Sequence, residues 1–557
     1  MKVGQDFKDK VVYQIYPRSF KDSSGNGIGD LKGIVSKLDY LQELGIDYIW
    51  MNPIFLSPQN DNGYDVADYR AIDPQYGTME DLEELIEEAK KRNIYLMFDM
   101  VFNHTSTSHE WFQKALQGDP KYRNYYIFKE PKADGGMPNN WQSKFGGPAW
   151  KYVPELGQYY LHLFDESQAD LNWENDEVIE ELADVIRFWL DKGVRGFRFD
   201  VINEIAKSSF ADDPNEFDGR QYYTDQPKNH DHLHHLHQLS FPKDDPYFIT
   251  VGEMSSTTVG NCQKYTDPEN EELTMVFNFH HLKVDYKDKQ KWTLMDFDFH
   301  ELKELFFEWQ EGMQEHDGWN ALFWNCHDQP RSLSRFGDPA RYPKQSAKML
   351  ATAIHLMQGT PYIYQGEEIG MENAGFTDLD QYRDVESINA YHILKKQGKS
   401  DEAIYAILRE KSRDNARTPM QWDASDNAGF TTGTPWIGTN PNYRQVNVEE
   451  ALKDKDSVFY HYKKLIGLRK NHPAISRGRF IPILKEHDQV YGYIRQDEKE
   501  TILVLNNFYG KDCAVDLGEI EELDRFGTLI SNYPDQDLSH HMNLRPYESA
   551  AWILHRE

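Results

Sequence analysis

Three acidic residues follow hydrophobic runs, where a carboxylate is costly to bury unless it is paired or functional. They are Asp200 after GFRF, Glu253 after ITVG and Asp328 after ALFWNCH. Cleaving a glycosidic bond requires one carboxylic acid that protonates the leaving oxygen and a second carboxylate on the opposite face of the sugar. The residue types therefore indicate glycoside hydrolysis if the three side chains converge, and three separate structural ion pairs if they do not.

The neighbours of these acids suggest a role for each. Arg198 lies two residues before Asp200 on the same face of its strand, so it can keep that carboxylate ionised as a nucleophile. Glu253 suits the proton donor, with a pKa raised by burial and by nearby carboxylates. Asp328 and the adjacent His327 can hold sugar hydroxyls as charge develops in the transition state.

Convergence requires strands that end at one edge of a sheet. Eight short runs of β-branched and aromatic residues recur along the chain, with helical patterns such as MEDLEELIEEAKKRN between several of them. This alternation predicts an α/β fold, a (β/α)8 TIM barrel, in which the carboxyl ends of the strands carry the chemistry. A doubly wound open sheet is the alternative. The predicted strands are VVYQIY, IDYIWM, IYLMFDMV, GFRFDVI, YFITVGE, TMVFNF, ALFWN and PYIYQGEE.

Three stretches do not fit the strand and helix repeat. Residues 104–175 are too many for a plain loop and predict an inserted domain after strand three. Residues from about 371 to 455 predict a subdomain after strand eight. Residues 476–557 contain short strand-like runs and predict a C-terminal β-sandwich. The barrel would then comprise residues 1–103 and 176–475.

The composition limits the partners. Lys and Arg number 61 against 92 Asp and Glu, a formal charge of −31, and this acidity disfavours nucleic acid and anionic membranes. Three cysteines do not form a disulfide framework, and we find neither a signal peptide nor an apolar run that could span a bilayer. We therefore expect a cytoplasmic enzyme acting on a small molecule, and no feature indicates an obligate protein partner.

The strand ends DMVFNH, GFRFD, VGEM and CHDQPR resemble those of the α-amylase superfamily, glycoside hydrolase family 13. The resemblance extends over the chain through VVYQIYPRSF, NGYDVADY and RDNARTPMQW. It implies a cofactor-independent, retaining double displacement with Asp200 as nucleophile, Glu253 as acid/base and Asp328 as transition-state stabiliser. The residues that it places around the non-reducing glucose are Tyr64, Asp65, His104, Arg198, His327 and Arg417.

Within the family, DVIN and QADLNWEN resemble the oligo-1,6-glucosidase branch. GEMSSTT, FNFHHLKVDY and QKWTL are similar to members of that branch that hydrolyse trehalose 6-phosphate to glucose and glucose 6-phosphate. The resemblance leaves two alternatives: an α-glucosidase acting on isomaltose-type sugars, and a non-catalytic or transporter-associated sugar-binding protein. The second typically has a membrane segment and lacks part of the catalytic set.

A cationic segment could bind the phosphate of a phosphorylated substrate. HHLKVDYKDKQKW follows predicted strand six, on the catalytic side of the barrel, in an otherwise acidic chain. Phosphate recognition requires such local cations, whereas the alternative is a solvated run of charge. The predicted phosphate contacts are Lys283 and Lys291, followed by His281, Arg220 and Lys228.

A second loop offers oxygen ligands at alternate positions. In DSSGNGIGD these are the side chains of Asp22, Ser24, Asn26 and Asp30 and the carbonyl of Ile28. This spacing predicts a structural Ca²⁺, or Mg²⁺, and members of the branch hold a metal here. The alternative is a glycine-rich turn held by hydrogen bonds.

Two residues depart from the family pattern. Cys326 stands before His327 where relatives commonly have Asn, and Glu204 follows DVIN where relatives often have an apolar residue. We expect fine specificity or the pH optimum to be affected, because neither change touches the three acids.

Overall fold

The structure is a computed structural model that describes residues 7–215, 218–534 and 538–556. It divides into two compact units: residues 50–90 and 95–279 form the first, and residues 7–49, 91–94 and 280–556 belong to the second. Its strands are β1 (Val12–Ile15), β2 (Tyr48–Met51), β3 (Phe55–Leu56), β4 (Asp68–Ile72), β5 (Tyr95–Met100), β6 (His104–Ser106), β7 (Phe128–Lys129), β8 (Trp150–Val153), β9 (Gln158–Leu161), β10 (Gln168–Asp170), β11 (Gly196–Phe199), β12 (Ile249–Glu253), β13 (Met275–Phe277), β14 (Ala321–Leu322), β15 (Thr360–Tyr364), β16 (Arg479–Ile483), β17 (Val490–Gln496), β18 (Glu500–Asn507), β19 (Cys513–Asp516), β20 (Gly527–Ser531), β21 (His541–Leu544) and β22 (Ser549–His555).

The α-helices alternate with the strands over most of the chain, and short 3₁₀ turns follow several strands, among them Ile202–Glu204 and His280–Leu282. The α-helices are α1 (Leu31–Val35), α2 (Leu38–Leu44), α3 (Met79–Lys91), α4 (Glu110–Leu116), α5 (Pro120–Arg123), α6 (Asp176–Lys192), α7 (Lys228–Ser240), α8 (Val259–Thr266), α9 (Phe299–Glu315), α10 (Ser332–Phe336), α11 (Pro343–His355), α12 (Val385–Lys396), α13 (Asp401–Lys411), α14 (Asp414–Arg417), α15 (Val448–Lys453), α16 (Val458–Asn471) and α17 (Pro473–Arg477).

Eight parallel strands form the sheet of the predicted TIM barrel, in the order β13-β12-β11-β5-β2-β1-β15-β14. In the first unit, β11 pairs with β5 and β12, so that Arg198 lies opposite Asp99 and Val251. In the second unit, β15 pairs with β1 and with β14. All eight strands coincide with predicted runs, which confirms the (β/α)8 architecture.

Local sequence explains where the helices begin and end, as α6 illustrates. The Asn175 side chain accepts a hydrogen bond from the backbone N–H of Glu177 and caps the first turn. The helix ends at Gly193, whose φ of 106° is available to glycine at little steric cost. Its inner face buries Ile179, Ile186 and Trp189, so the helix packs by an apolar stripe.

The segment predicted as an inserted domain is built from short antiparallel strands. β6 pairs with β10, and β9 pairs with both β7 and β8. Trp141, Trp150 and Leu161 are buried in one apolar cluster, which Tyr223 from outside the segment completes. These tryptophans therefore pack a small core.

The C-terminal region is all β and antiparallel. One sheet has the order β16-β17-β18-β22-β20, and a second consists of β19 and β21. Side chains from both sheets, among them Leu503, Leu505, Val515 and Leu544, share a single apolar cluster. The predicted C-terminal sandwich is confirmed by these two sheets packing on one core.

Among the described residues, no helix combines the length and the apolar character that crossing a bilayer would require.

Candidate active site

Arg198 on β11 organises the candidate site in the first unit. Its Nη1 lies 2.6 Å from Asp99 Oδ1 and 2.8 Å from Asp200 Oδ1, and its Nη2 donates to Glu253 Oε2. The guanidinium is only 2% exposed. A single buried cation therefore contacts both the predicted nucleophile and the predicted acid/base.

In this cluster the pKa of Arg198 and the pKa of Asp99 are both shifted upward. Burial alone would lower the pKa of Arg198, but Asp99, Tyr64 and Asp200 outweigh it and the net shift is upward. Burial and the nearby Asp200 raise the pKa of Asp99 to about 7, although Arg198 opposes them. Tyr64 and Trp50 also donate to Asp99 Oδ2, at 2.8 and 3.2 Å. Asp99 thus takes up a proton near neutral pH in this cluster.

The chain after Asp200 is strained and held in place. Val201 has φ 37° and ψ 39°, a left-handed conformation that is unusual for a β-branched residue. Asn203 of the DVIN motif donates to the Ser255 carbonyl at 2.8 Å and accepts from the Ser255 N–H at 3.0 Å. Because Ser255 lies two residues after Glu253, these paired bonds connect the loops that carry the two acids.

Besides Arg198, three more of the predicted glucose-binding residues lie in the first unit. His104 Nε2 is 3.0 Å from the Tyr64 carbonyl oxygen and 3.2 Å from Gln168 Nε2. Asp65 accepts from Ser57 Oγ at 2.9 Å and from the backbone N–H of Asn60 at 3.0 Å. Burial raises the pKa of Asp65, and these donors oppose it. Contact of Tyr64, Asp65 and His104 with glucose stays a prediction.

Asp328 is the centre of a second group, in the second unit. Its Oδ1 accepts from Arg413 at 2.9 Å and from Arg417 at 3.2 Å, and its Oδ2 lies 3.0 Å from His327 Nε2. Burial alone would raise the pKa of Asp328, but His327, Arg413 and Arg417 lower it well below its usual range. The predicted transition-state stabiliser is therefore ionised.

Asp384 forms a further ion pair with the arginines that contact Asp328. Arg413 contacts Asp384 at 2.5 Å, and Asp384 also lies 3.7 Å from Arg417. Burial opposes the ionisation of Asp384, yet Arg413 and Arg417 lower its pKa. The roles of Arg413 and Asp384 were not predicted from the sequence, although RDNAR and RDVES contain these residues, because nothing in the spacing pairs two motifs so far apart.

Gln14 and Tyr16 orient the imidazole of His327. Gln14 Nε2 lies 3.0 Å from His327 Nδ1, and Tyr16 is stacked on the ring with centroids 6.2 Å apart. An amide nitrogen only donates, so Nδ1 accepts and the neutral ring carries its proton on Nε2. That proton points at Asp328 Oδ2.

The five predicted phosphate residues have different surroundings. Lys291 Nζ lies 2.6 Å from Glu386 Oε2, which is also 3.3 Å from Arg413 Nε. His281 is buried, its Nε2 is 2.8 Å from the Phe323 carbonyl oxygen, and burial lowers its pKa to about 4. Lys283 is exposed beside it. Arg220 pairs with Asp218, and Lys228 with Glu174.

The predicted metal loop holds its oxygen atoms by hydrogen bonds. Asp22 accepts from the backbone N–H groups of Ser24, Gly25 and Gly27, each at 2.8 Å. Thr431 Oγ1 donates to it at 2.5 Å. Burial would raise the pKa of Asp22, and these donors lower it overall. The anionic oxygens suit a hard cation, which would have to replace some of these donors.

Glu204, the departure after DVIN, is fully buried. One carboxylate oxygen contacts Lys144 Nζ from the inserted segment, and Lys144 Nζ also lies 3.4 Å from Ser255 Oγ. Lys207 Nζ, held 2.8 Å from Asp170, donates to the Glu204 carbonyl at 2.9 Å. Glu204 therefore joins the loop after the predicted nucleophile to the inserted segment.

The chain matches the models of two known protein domains. The model of the alpha amylase catalytic domain matches residues 14–478, and that of the alpha-amylase SusG C-terminal domain matches residues 490–550. The chain belongs to the alpha-amylase family. Matches in this family include the trehalose-6-phosphate hydrolases of Bacillus subtilis (strain 168), 54% identical, and Escherichia coli (strain K12), 50% identical, each aligned over 98% of both chains.

One further sequence relative and one solved structure from the alpha-amylase family are also similar to this chain. The oligo-1,6-glucosidase of Bacillus cereus is 46% identical over 99% of both chains. The crystal structure of Bacillus licheniformis trehalose-6-phosphate hydrolase has a TM-score of 0.95 and 53% identity, covering 99% of this chain and 100% of that one.

The Glu204–Lys144 pair gives a stability prediction for this alpha-amylase family member. Lys144→Met should destabilise the protein by about 3–5 kcal/mol, because it leaves a buried carboxylate without its cation. The double variant Lys144→Met, Glu204→Gln should recover much of that loss, as measured by urea unfolding. Lys151→Met removes an exposed pair with Glu166 on the same segment and should cost less than about 1 kcal/mol. Equal losses for the two lysine variants would contradict the prediction.

Proposed function

We propose that this chain is a retaining α-glucoside hydrolase that cleaves trehalose 6-phosphate to glucose and glucose 6-phosphate. The observation that carries the proposal is full-length similarity to trehalose-6-phosphate hydrolases at 54% and 50% identity. The oligo-1,6-glucosidase match at 46% identity makes isomaltose-type sugars the second candidate substrates. A non-catalytic sugar-binding role is disfavoured, because all three predicted catalytic acids are present.

The proposed chemistry is a double displacement. Asp200, which accepts a hydrogen bond from Arg198 at 2.8 Å, attacks the anomeric carbon while Glu253 donates a proton to the bridging oxygen. Glucose 6-phosphate leaves, and a β-glucosyl ester remains on Asp200. Glu253 then takes a proton from water, which attacks the same carbon and releases α-glucose. In this scheme ionised Asp328 stabilises positive charge on the sugar during both steps.

Substrate recognition divides between the two sugars of trehalose 6-phosphate. We assign Tyr64, Asp65, His104, Arg198, His327 and Arg417 to the non-reducing glucose. The phosphorylated sugar would meet the segment after β13, where Lys283 is exposed and Lys291 faces Glu386. His281, buried and neutral at pH 7, fits a hydrogen-bonding role better than that of a cation. Arg220 and Lys228, which lie outside this segment, are secondary candidates.

The function is tested by comparing substrates at equal concentration. Trehalose 6-phosphate should be turned over faster than isomaltose, trehalose or sucrose, and ¹H NMR of fresh product should show α-glucose before mutarotation. Asp200→Asn and Glu253→Gln should each lower kcat by at least about 10³-fold. Asp191→Asn, an exposed acid at the end of α6, serves as the matched control. Preferential cleavage of isomaltose would move the chain to the second candidate function, and β-glucose appearing first would refute retention.

Lys283 tests the phosphate assignment. Lys283→Ala should raise KM for trehalose 6-phosphate about tenfold or more, since a charge-assisted hydrogen bond is worth about 1.5–3 kcal/mol. KM for an uncharged aryl α-glucoside should change little. The control is Lys287→Ala, which removes another exposed lysine from the same segment. Equal effects on the two substrates would exclude Lys283 from the phosphate site.

We also propose that Asp22, Ser24, Asn26, Ile28 and Asp30 hold a structural Ca²⁺ or Mg²⁺. The supporting features are a buried, anionic Asp22 and several loop oxygens within one short turn. Metal analysis of the purified protein should find about one ion per chain, and chelation should lower the unfolding temperature. Asp22→Asn should abolish both effects. Protein free of Ca²⁺ and Mg²⁺ with an unchanged unfolding temperature would favour the hydrogen-bonded turn.

A further inference from the structure

Cys326, His327 and Asp328 place three different metal-binding atoms together. A thiol sulfur, an imidazole nitrogen and a carboxylate oxygen all lie within 4.8 Å of one another. Cys326 Sγ accepts from the backbone N–H of Asp328 at 3.4 Å, so the turn already directs the thiol toward residue 328. The grouping does not depend on the hydrolytic mechanism, which uses Asp328 but has no role for a thiol.

These atoms match the preferences of Zn²⁺. Zinc binds cysteine sulfur, histidine nitrogen and carboxylate oxygen in a tetrahedron, at about 2.3 Å for sulfur and about 2.0–2.2 Å for nitrogen and oxygen. His327 Nε2 and Asp328 Oδ2 are already 3.0 Å apart, close to the spacing of two such ligands. A small inward movement of the Cys326 sulfur completes a three-ligand site with a fourth position for water.

The surroundings of this turn would let an ion enter from solvent and would hold the His327 ring in place. Cys326 and His327 are buried, whereas the side chain of Asp328 is 25% exposed and opens the group to solvent. Arg413 and Arg417 both contact Oδ1, so an ion bound at Oδ2 leaves those pairs in place. Gln14 at His327 Nδ1 supplies the outer partner that metal-bound histidines usually have.

We propose that Cys326, His327 and Asp328 form an inhibitory site for Zn²⁺ or a similar borderline-soft divalent ion. On binding, the thiol releases its proton to solvent and the His327 proton moves from Nε2 to Nδ1. The Gln14 amide turns so that Oε1 accepts that proton. Inhibition follows because the ion occupies the Asp328 carboxylate, a consequence that rests on the proposed function; the binding itself does not.

The first test is inhibition by ZnCl₂ of glucoside cleavage, with each protein compared with its own metal-free rate. Wild-type protein should be inhibited and should recover when EDTA is added. Cys326→Ser should require at least about tenfold more Zn²⁺, since even an outer partner of a metal ligand is worth about 10–100-fold in affinity. Cys262→Ser, which removes another buried thiol, should behave as wild type. No inhibition of wild type, or equal inhibition of all three proteins, would overturn the proposal.

The second test does not require activity. Co²⁺ added to wild-type protein should give the near-ultraviolet absorption of a thiolate–cobalt bond and the visible bands of tetrahedral cobalt. Both should persist in Cys262→Ser and disappear in Cys326→Ser. If the absorption appears but no α-glucoside is cleaved, the proposed function fails and the metal site stands. If cleavage occurs and the absorption does not appear, the metal site is wrong.

Discussion

The site in the first unit depends on one buried guanidinium shared by three carboxylates. Arg198 contacts Asp99, Asp200 and Glu253, and a buried charge of this kind is tolerated only when it is paired. Three acids against one cation leave negative charge to spare, which suits a reaction whose transition state places positive charge on a sugar ring. Protonation of Asp99, whose pKa rises to about 7, relieves part of the repulsion and leaves Arg198 available to the other two acids.

Asp328 has the opposite balance. Two arginines and a histidine surround this one carboxylate, and they lower its pKa well below the usual range. A second acid, Asp384, balances part of the positive charge of the same two arginines. The surroundings of the carboxylates therefore differ between the two groups. Around Arg198 several carboxylates compete for one cation, whereas around Asp328 several donors contact one carboxylate.

The sequence was informative where chemistry and secondary structure share a short segment. Buried runs predicted all eight strands, and the polar residue ending each run marked the acids, since barrel strands end at the catalytic face. It was uninformative where partners are distant in the chain, as for Arg413 with Asp328 and Glu204 with Lys144. His281 shows a third limit. Its position in a cationic segment suggests a positive charge, but burial among aromatic rings lowers its pKa to about 4 and keeps it neutral at pH 7. Charge patterns report composition, whereas pKa depends on solvation.

The turn after Asp200 shows how a strained segment can be fixed from several sides. Val201 is held at φ 37°, a conformation that costs about 1–3 kcal/mol and persists only where the surroundings determine it. Asn203 ties the turn to Ser255, and Glu204 ties it to Lys144. Glu204 therefore does more than add charge near the predicted nucleophile. Because Lys144 belongs to the inserted segment, an ion pair between two groups with no part in the proposed reaction anchors the turn after Asp200 to that segment.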